Sequence, residues 1–329
     1  MKLNLHSHLE GRLRPATAAA LAAEAGVPAP EGGWEHALQL DGPANLTAYL
    51  VKVAATYPFF RSPAHVARIA CEAVEDAAAD GTDYLELRFG PATHVHMGFN
   101  MDDVMSAVCD GIAEGTRRTG ISAGVVIAAL RHHDEETNIG VARAATRFAS
   151  RGIAGFDLAG DESKFHDLAQ YEKPFAIARA AGLGLTCHAA EAQPGVAARE
   201  AVERFGVSRI GHGAHLAEDS DSLRWVRDHG VAVECCPTSN WYTGAIARRA
   251  DHPARYFREQ ELKIVLGDDN PVQTKSLLSN ERRVLAEELG FSEKDLFALD
   301  RTSVEVAFLE DAVRQKFLSR LSEESPAKA

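Results

Sequence analysis

Histidines 6 and 8, in the stretch LNLHSHLEG near the start of the chain, form the pattern in this sequence best suited to chemistry. Side chains two apart on a strand share a face. If residues 2–8 are extended, both imidazoles look at one point and make half of a metal site. A lone histidine pair can also decorate a loop, so the reading depends on partners elsewhere. HAAE brings His188 and Glu191, RIGHG brings His212, and GDDNP brings Asp268 and Asp269. Imidazole and carboxylate ligands suit zinc, and a catalytic zinc keeps one position for water. Glu191, three residues after His188, can swing over such a metal and shuttle a proton. Its plain alternative is a helix N-terminal carboxylate. His212 lies between two glycines, which let the backbone approach a bound group. It could orient a nucleophilic water or act as its base; the plain alternative is a buried structural histidine.

Elements able to position these residues recur along the chain. The apolar runs KLNLHSH, YLELRFG, AGVVIAAL, IAGFDLAG, LGLTCHA, SRIGHG, VAVECC and LKIVLGD alternate with Ala/Leu/Glu/Arg-rich stretches of helical spacing. Eight alternating strand–helix units predict a parallel (β/α)8 TIM barrel, an α/β fold. Catalytic groups of such barrels sit at the C-terminal ends of strands. Those ends here carry His6, His8, Arg88, Arg131, His132, Asp157, Gly160, His188, His212, Glu234, Asp268 and Asp269. The interval 9–83 far exceeds the length of one crossover helix, so extra helices are expected after the first strand, forming a cap over the barrel mouth. Residues 1–320 are expected to form one domain and 321–329 a disordered tail.

A chain of 329 residues with 46% hydrophobic and 25% charged residues can bury a large core. The net charge of −12 argues against nucleic-acid and anionic-membrane partners. No apolar run is long enough to span a bilayer. Five cysteines, Cys71, Cys109, Cys187, Cys235 and Cys236, lack framework spacing and read as reduced thiols. The expected compartment is the cytoplasm, without a secretory leader. Cys235 and Cys236 are neighbours on a strand and face opposite sides, so they are expected to be buried packing residues rather than a shared metal site.

The sequence resembles the adenosine deaminase family of metal-dependent amidohydrolases. LHSHLEGRLRPAT, YLELRFGP, LRHH, FDLAGDES, HAAE, RIGHGAHL, VECCPTSNWYTGA and DDNPVQTKS carry the resemblance, in family order over nearly the whole chain. Cytidine-type deaminases carry Pro-Cys-x-x-Cys, which is absent here. The resemblance implies hydrolytic deamination of a 6-aminopurine, of adenosine or adenine type, with one zinc per chain. It makes His6, His8 and His188 zinc ligands, Glu191 the proton donor to purine N1, and His212 the residue that steers the attacking hydroxide. Gly160 matches the glycine whose amide meets N3.

Two departures bear on the substrate. The family's last motif usually reads Thr-Asp-Asp-Pro, whereas this chain reads Gly267-Asp268-Asp269-Asn270-Pro271. A gapless alignment makes Asp269 the ligand and puts Asn270 at N7, where an amide can donate. The other alignment makes Asp268 the ligand and Asn270 an insertion; the gapless one is preferred. Glu10 stands where most adenosine-directed members have aspartate facing the ribose, and members acting on adenine or modified purines often read Leu-Glu-Gly there. Glu10 is therefore expected to face a donor, whether a sugar hydroxyl, a ring N–H or a neighbouring side chain, unless Gly11, Arg12 and Arg14 hold it outward. A modified or N6-substituted adenine, or an aminofutalosine-type nucleoside, is the alternative substrate. A binuclear amidohydrolase would need a bridging lysine, and none precedes Lys164 at the fourth strand's end. A non-catalytic binding protein on the same fold is the remaining rival.

Overall fold

The computed structural model describes residues 1–323. Its strands are β1 Leu3–His8, β2 Tyr84–Phe89, β3 Ser122–Leu130, β4 Ile153–Ala159, β5 Gly184–Ala189, β6 Arg209–His212, β7 Ala232–Cys235 and β8 Ile264–Leu266. They pair in parallel in chain order, with helices between them, as a (β/α)8 barrel. A parallel bridge between Ser7 and Asp269 joins the last strand's extension to the first. There His8 N donates to Asp269 O at 2.7 Å, and Asp269 N to His6 O at 2.9 Å. This seam puts the first histidine pair and the second aspartate side by side before any side-chain interaction is counted.

The oversized interval holds α1 Pro15–Glu24, α2 Gly33–Leu38 and α3 Leu46–Ala54, ahead of the crossover helix α4 Pro63–Ala79. Helix α3 starts where Asn45 turns extended and its side chain accepts from Ala48 N at 2.9 Å. Ser62 caps α4, with Pro63 in its first turn. Leu46, Tyr49 and Val53 recur at helical spacing and are buried. Each such apolar side chain contributes about 1.5–3 kcal/mol toward seating the cap. Together with the strand ends, α3 encloses a pocket of about 390 Å³.

Beneath that pocket the barrel interior is ionic. Bulky branched residues usually fill such interiors, but here Glu86, Arg88, Asp157, Thr186, Arg209 and Glu234 are fully buried. Arg88 donates to Asp157 at 3.0 Å, to Glu234 at 2.8 Å and to Leu5 O at 2.6 Å. Arg209 Nε and Thr186 Oγ1 donate to Glu234 Oε1 at 2.7 and 2.9 Å, and Arg209 also pairs with Glu86. Against burial, Arg88 and Arg209 hold the Glu234 carboxyl well below its usual range. Below the network the Phe308 ring lies 3.6 Å from the Arg209 guanidinium. Gly155 and Gly184 make room for it, since a Cβ at either would come within 2.5 and 2.1 Å of the ring.

Residues 321–323, expected in a disordered tail, instead complete the helix Asp311–Glu323. Leu321 and Phe317 are buried with Leu3, Leu5, Tyr84 and Val265, so apolar burial extends the helix past the expected boundary. Residues 324–329 of that expected tail lie outside the described residues. No helix among the described residues is long and apolar enough to cross a membrane. The five cysteines are free and buried.

Candidate active site

The seam and the ends of β5 and β6 bring His6, His8, His188, His212 and Asp269 into one cluster. His8 Nε2 lies 3.2 Å from His188 Nε2 and 3.3 Å from Asp269 Oδ1, while His6 Nε2 lies 3.6 Å from the same oxygen. Two overlapping sets, His6–His8–His188 and His6–His212–Asp269, have ligand atoms close enough to share an ion. Asp268, the alternative in the other alignment, turns away and pairs with Arg12.

Each deep imidazole has its second nitrogen tied down. His6 Nδ1 lies 2.7 Å from Glu234 Oε2, and His188 Nδ1 lies 3.0 Å from Asp157 Oδ2. A carboxylate only accepts, so both rings carry their proton on Nδ1 and offer a lone pair at Nε2. His6 Nε2 is buried and has no hydrogen-bond partner among the described residues. A cation accepting that lone pair supplies the missing interaction, so the donor set fits a metal such as zinc. The ionic floor thus reaches the cluster, because Asp157 and Glu234 both rest on Arg88.

Asp269 is held from both sides. Its Oδ2 accepts from Tyr49 of α3 at 3.0 Å and from Ser239, and Asn270 Nδ2 donates to Oδ1 at 2.7 Å. Against burial, the facing imidazoles of His6, His8 and His212 keep its carboxyl well below the usual range. His212 and Asp269 adopt left-handed backbone angles, φ 65° and 55°. Histidine and aspartate are among the non-glycine residues that tolerate this region, where strain gathers at functional sites.

Glu191 is buried beside this cluster, its Oε2 3.7 Å from His212 Nε2. Burial first, and the facing Asp269 second, push its carboxyl up to about 8. Burial thus favours its protonated form. The Glu162 carboxylate fixes its loop by accepting from Ala190 N, Glu191 N and Ala192 N at 2.8, 2.9 and 2.9 Å. Burial holds His8 and His212 well below the usual imidazole range.

Glu10 is 5% exposed and lines the pocket. Its Oε1 accepts from His94 Nε2 at 3.1 Å and from Gly90 N at 3.2 Å. The outward placement does not occur, because Arg12 is committed to Asp268 and Ser7, and Arg14 to Asp76 at 2.7 Å. Gly11 instead makes room for Asn270, whose Oδ1 would lie 2.4 Å from a Cβ there. Gly160 borders the pocket at φ 113°, a conformation side-chain-bearing residues rarely adopt.

Sequence reading assigned no role to Tyr49, Ser239, Asn240, His94 or Glu162. Glu162 and Asn240 stand inside the quoted motifs FDLAGDES and VECCPTSNWYTGA, but nothing in their spacing says what they touch. Asp157 and Glu234 were recognisable as strand-end polar groups, though not as partners of histidines on other strands.

A family model described as adenosine deaminase matches residues 1–324. The chain is 33% identical to an adenine deaminase of Rhizobium leguminosarum bv. trifolii, over 97% of this chain and 98% of that protein. It is 31% identical to an adenosine deaminase of Shewanella halifaxensis, over 96% and 97% of the two chains. The crystal structure of an adenine deaminase from Arthrobacter aurescens superposes with a TM-score of 0.89 at 25% identity, covering 100% of this chain and 99% of that one. With this geometry and these matches over the full length, the chain belongs to the adenosine deaminase family and is a hydrolase acting on C–N bonds.

Proposed function

We propose that this protein adds water to C6 of a 6-aminopurine and releases ammonia, leaving the 6-oxopurine, with free adenine the preferred substrate and one zinc ion as cofactor. The observation that carries the reading is the meeting of His6, His8, His188 and Asp269 with the buried Glu191, whose carboxyl is pushed up to about 8, and with His212 at the base of one pocket. His6, His8, His188 and Asp269 would hold the zinc. When bound, zinc supplies a Lewis acid that makes water nucleophilic near neutral pH.

The chain's own residues do the rest. Glu191 delivers its proton to N1, which draws electron density from C6 and prepares that carbon for attack. His212 faces the oxygen arriving at C6 and stabilises its charge. Gly160 offers its backbone amide to N3, and Asn270 offers an amide hydrogen toward N7. Helix α3 closes over the base and excludes water. The adenine preference rests on Glu10, whose carboxylate lines the pocket and is anchored by Gly90 N and His94 Nε2. Its extra methylene, relative to aspartate, takes space from a ribose, and the carboxylate can accept from a ring N–H of the free base. The adenine deaminases among the relatives support the same choice.

Elemental analysis of the purified protein and ammonia release from adenine, adenosine, deoxyadenosine and N6-substituted adenines test this reading. About one zinc per chain is expected, with the highest kcat/KM on adenine, loss of metal in Asp269→Ala and retention in Asp268→Ala. Two metals, activity without metal, or no ammonia from any of these purines would overturn it.

A further inference from the structure

We infer that Asn240 and His252 are positioning residues that fix His212 as an Nε2–H hydrogen-bond donor and so keep it out of the metal's ligand set. This deepens the deaminase reading and rests on it for the role of His212, though not for the position of the proton. The hydrogen-bond chain starts from a group whose direction is certain. Ala254 N, a backbone donor, points at His252 Nδ1 at 3.1 Å. That nitrogen must accept, so the single proton of a neutral imidazole sits on Nε2. Burial pushes His252 down to about 3, so the ring is neutral.

His252 Nε2 faces Asn240 Oδ1 at 3.2 Å, which fixes the orientation of the amide. The Asn240 Nδ2 group then points the other way, 3.1 Å from His212 Nδ1 and 3.4 Å from Glu191 Oε1. Its two hydrogens serve one partner each. His212 Nδ1 therefore accepts, and its proton resides on Nε2, which faces Glu191 and the cluster. Asn240, His252 and His212 are all buried, which keeps water from substituting for a member of the chain.

Two questions left open by residue type alone close together. A nitrogen carrying a proton has no lone pair for a metal, so His212 drops out of the overlapping ligand sets and leaves His6, His8, His188 and Asp269. In the resting site His212 also donates to the arriving oxygen rather than removing its proton. Asn240, reaching Glu191 Oε1 as well, leaves Oε2 to carry the acidic proton. A single amide from the helix Pro237–Tyr242 thus sets the direction of both groups.

Nitrogen NMR of the zinc-loaded protein labelled with 15N-histidine tests this, with His212 assigned by the signals lost in His212→Gln. The expected wild-type pattern is an unprotonated Nδ1 and a protonated Nε2. In Asn240→Asp the carboxylate can only accept, so the proton should move to Nδ1. There kcat should fall on the order of 10²-fold, with KM within about threefold and zinc retained. His252→Gln keeps an N–H for Asn240 and should preserve the wild-type tautomer, whereas His252→Leu should not. A wild-type His212 protonated on Nδ1, or an unchanged tautomer in a folded Asn240→Asp variant, would overturn the inference. The wild-type spectrum decides the matter even if that variant does not fold. Absence of ammonia release from adenine and adenosine by wild type would instead count against the deaminase reading, leaving the tautomer result standing.

Discussion

The floor and the roof of the pocket are built from opposite materials. The floor is a lattice of buried charges, in which Arg88 and Arg209 join Glu86, Asp157 and Glu234 across β2, β4, β6 and β7. The roof is α3, whose buried face is largely apolar and whose polar links across the pocket include Thr47 to Asp161 at 2.7 Å and Tyr49 to Asp269 at 3.0 Å. Removing one partner from the floor strands a charge in a dry interior, a large penalty that holds His6 and His188 in a single geometry. A hydrogen bond of the roof contributes only about 1 kcal/mol net, so its seating rests mainly on the burial of Leu46, Tyr49 and Val53. The groups that hold the histidines rest on ions, whereas the helix over the pocket rests on apolar burial and a few hydrogen bonds.

The sharpest way to break this contrast is Arg88→Met. It leaves Asp157 and Glu234 without their shared cation and should destabilise the fold by about 3–5 kcal/mol, read from the denaturant midpoint. A loss below about 1 kcal/mol would mean that the floor is not the rigid part.

Glu191→Gln tests the wall between the two regions. Turnover should fall by at least about 10²-fold, with zinc retained and stability nearly unchanged. The wild-type pH profile carries the sign of the same assignment. The protonated acid is the active form, so activity should decline as pH rises through its pKa. Burial sets that value at about 8, and a neighbouring divalent cation lowers it, so the alkaline limb should lie at or below about 8. Near-normal turnover in the variant would remove Glu191 from the chemistry.

Substrate choice should follow from the pocket wall. Glu10→Asp withdraws the carboxylate toward the backbone and returns space to a ribose. The ratio of kcat/KM for adenosine to that for adenine should rise about ten- to a hundred-fold, the worth of one charge-assisted hydrogen bond. An unchanged ratio would show that Glu10 does not select the substrate.

Tyr49→Phe is the mildest change and touches the roof alone. It removes one of the hydrogen bonds to Asp269, so retention of zinc against a chelator should weaken about fivefold, with the fold intact. A loss as large as that expected for Arg88→Met would erase the distinction between floor and roof.

The barrel was legible because strand and helix periodicities are local properties, and eight apolar runs separated by helical stretches leave few other architectures. His6 and His8 were legible as a pair for the same reason, since strand alternation puts them on one face. The inserted helices followed from an interval too long for one crossover. The helix end at Glu323 escaped this reading, because it depends on Leu321 meeting Leu3 and Tyr84, which are remote in sequence.

Within the site, residue types and motifs nominated the histidines, Glu191 and an aspartate, but not the contacts that distinguish them. That Asp269 faces His6 and His8 while Asp268 turns to Arg12 depends on the β1–β8 seam and a left-handed turn. That Glu10 is buried depends on His94 and Gly90 beyond β2. The direction of the His212 proton depends on Ala254, reached through two intervening side chains. The sequence by itself determined the periodicities and the chemistry each side chain can perform. Which partner each side chain faces, and hence its tautomer, charge and orientation, was decided only by tertiary structure, because closing the ring brings together groups that no local rule connects.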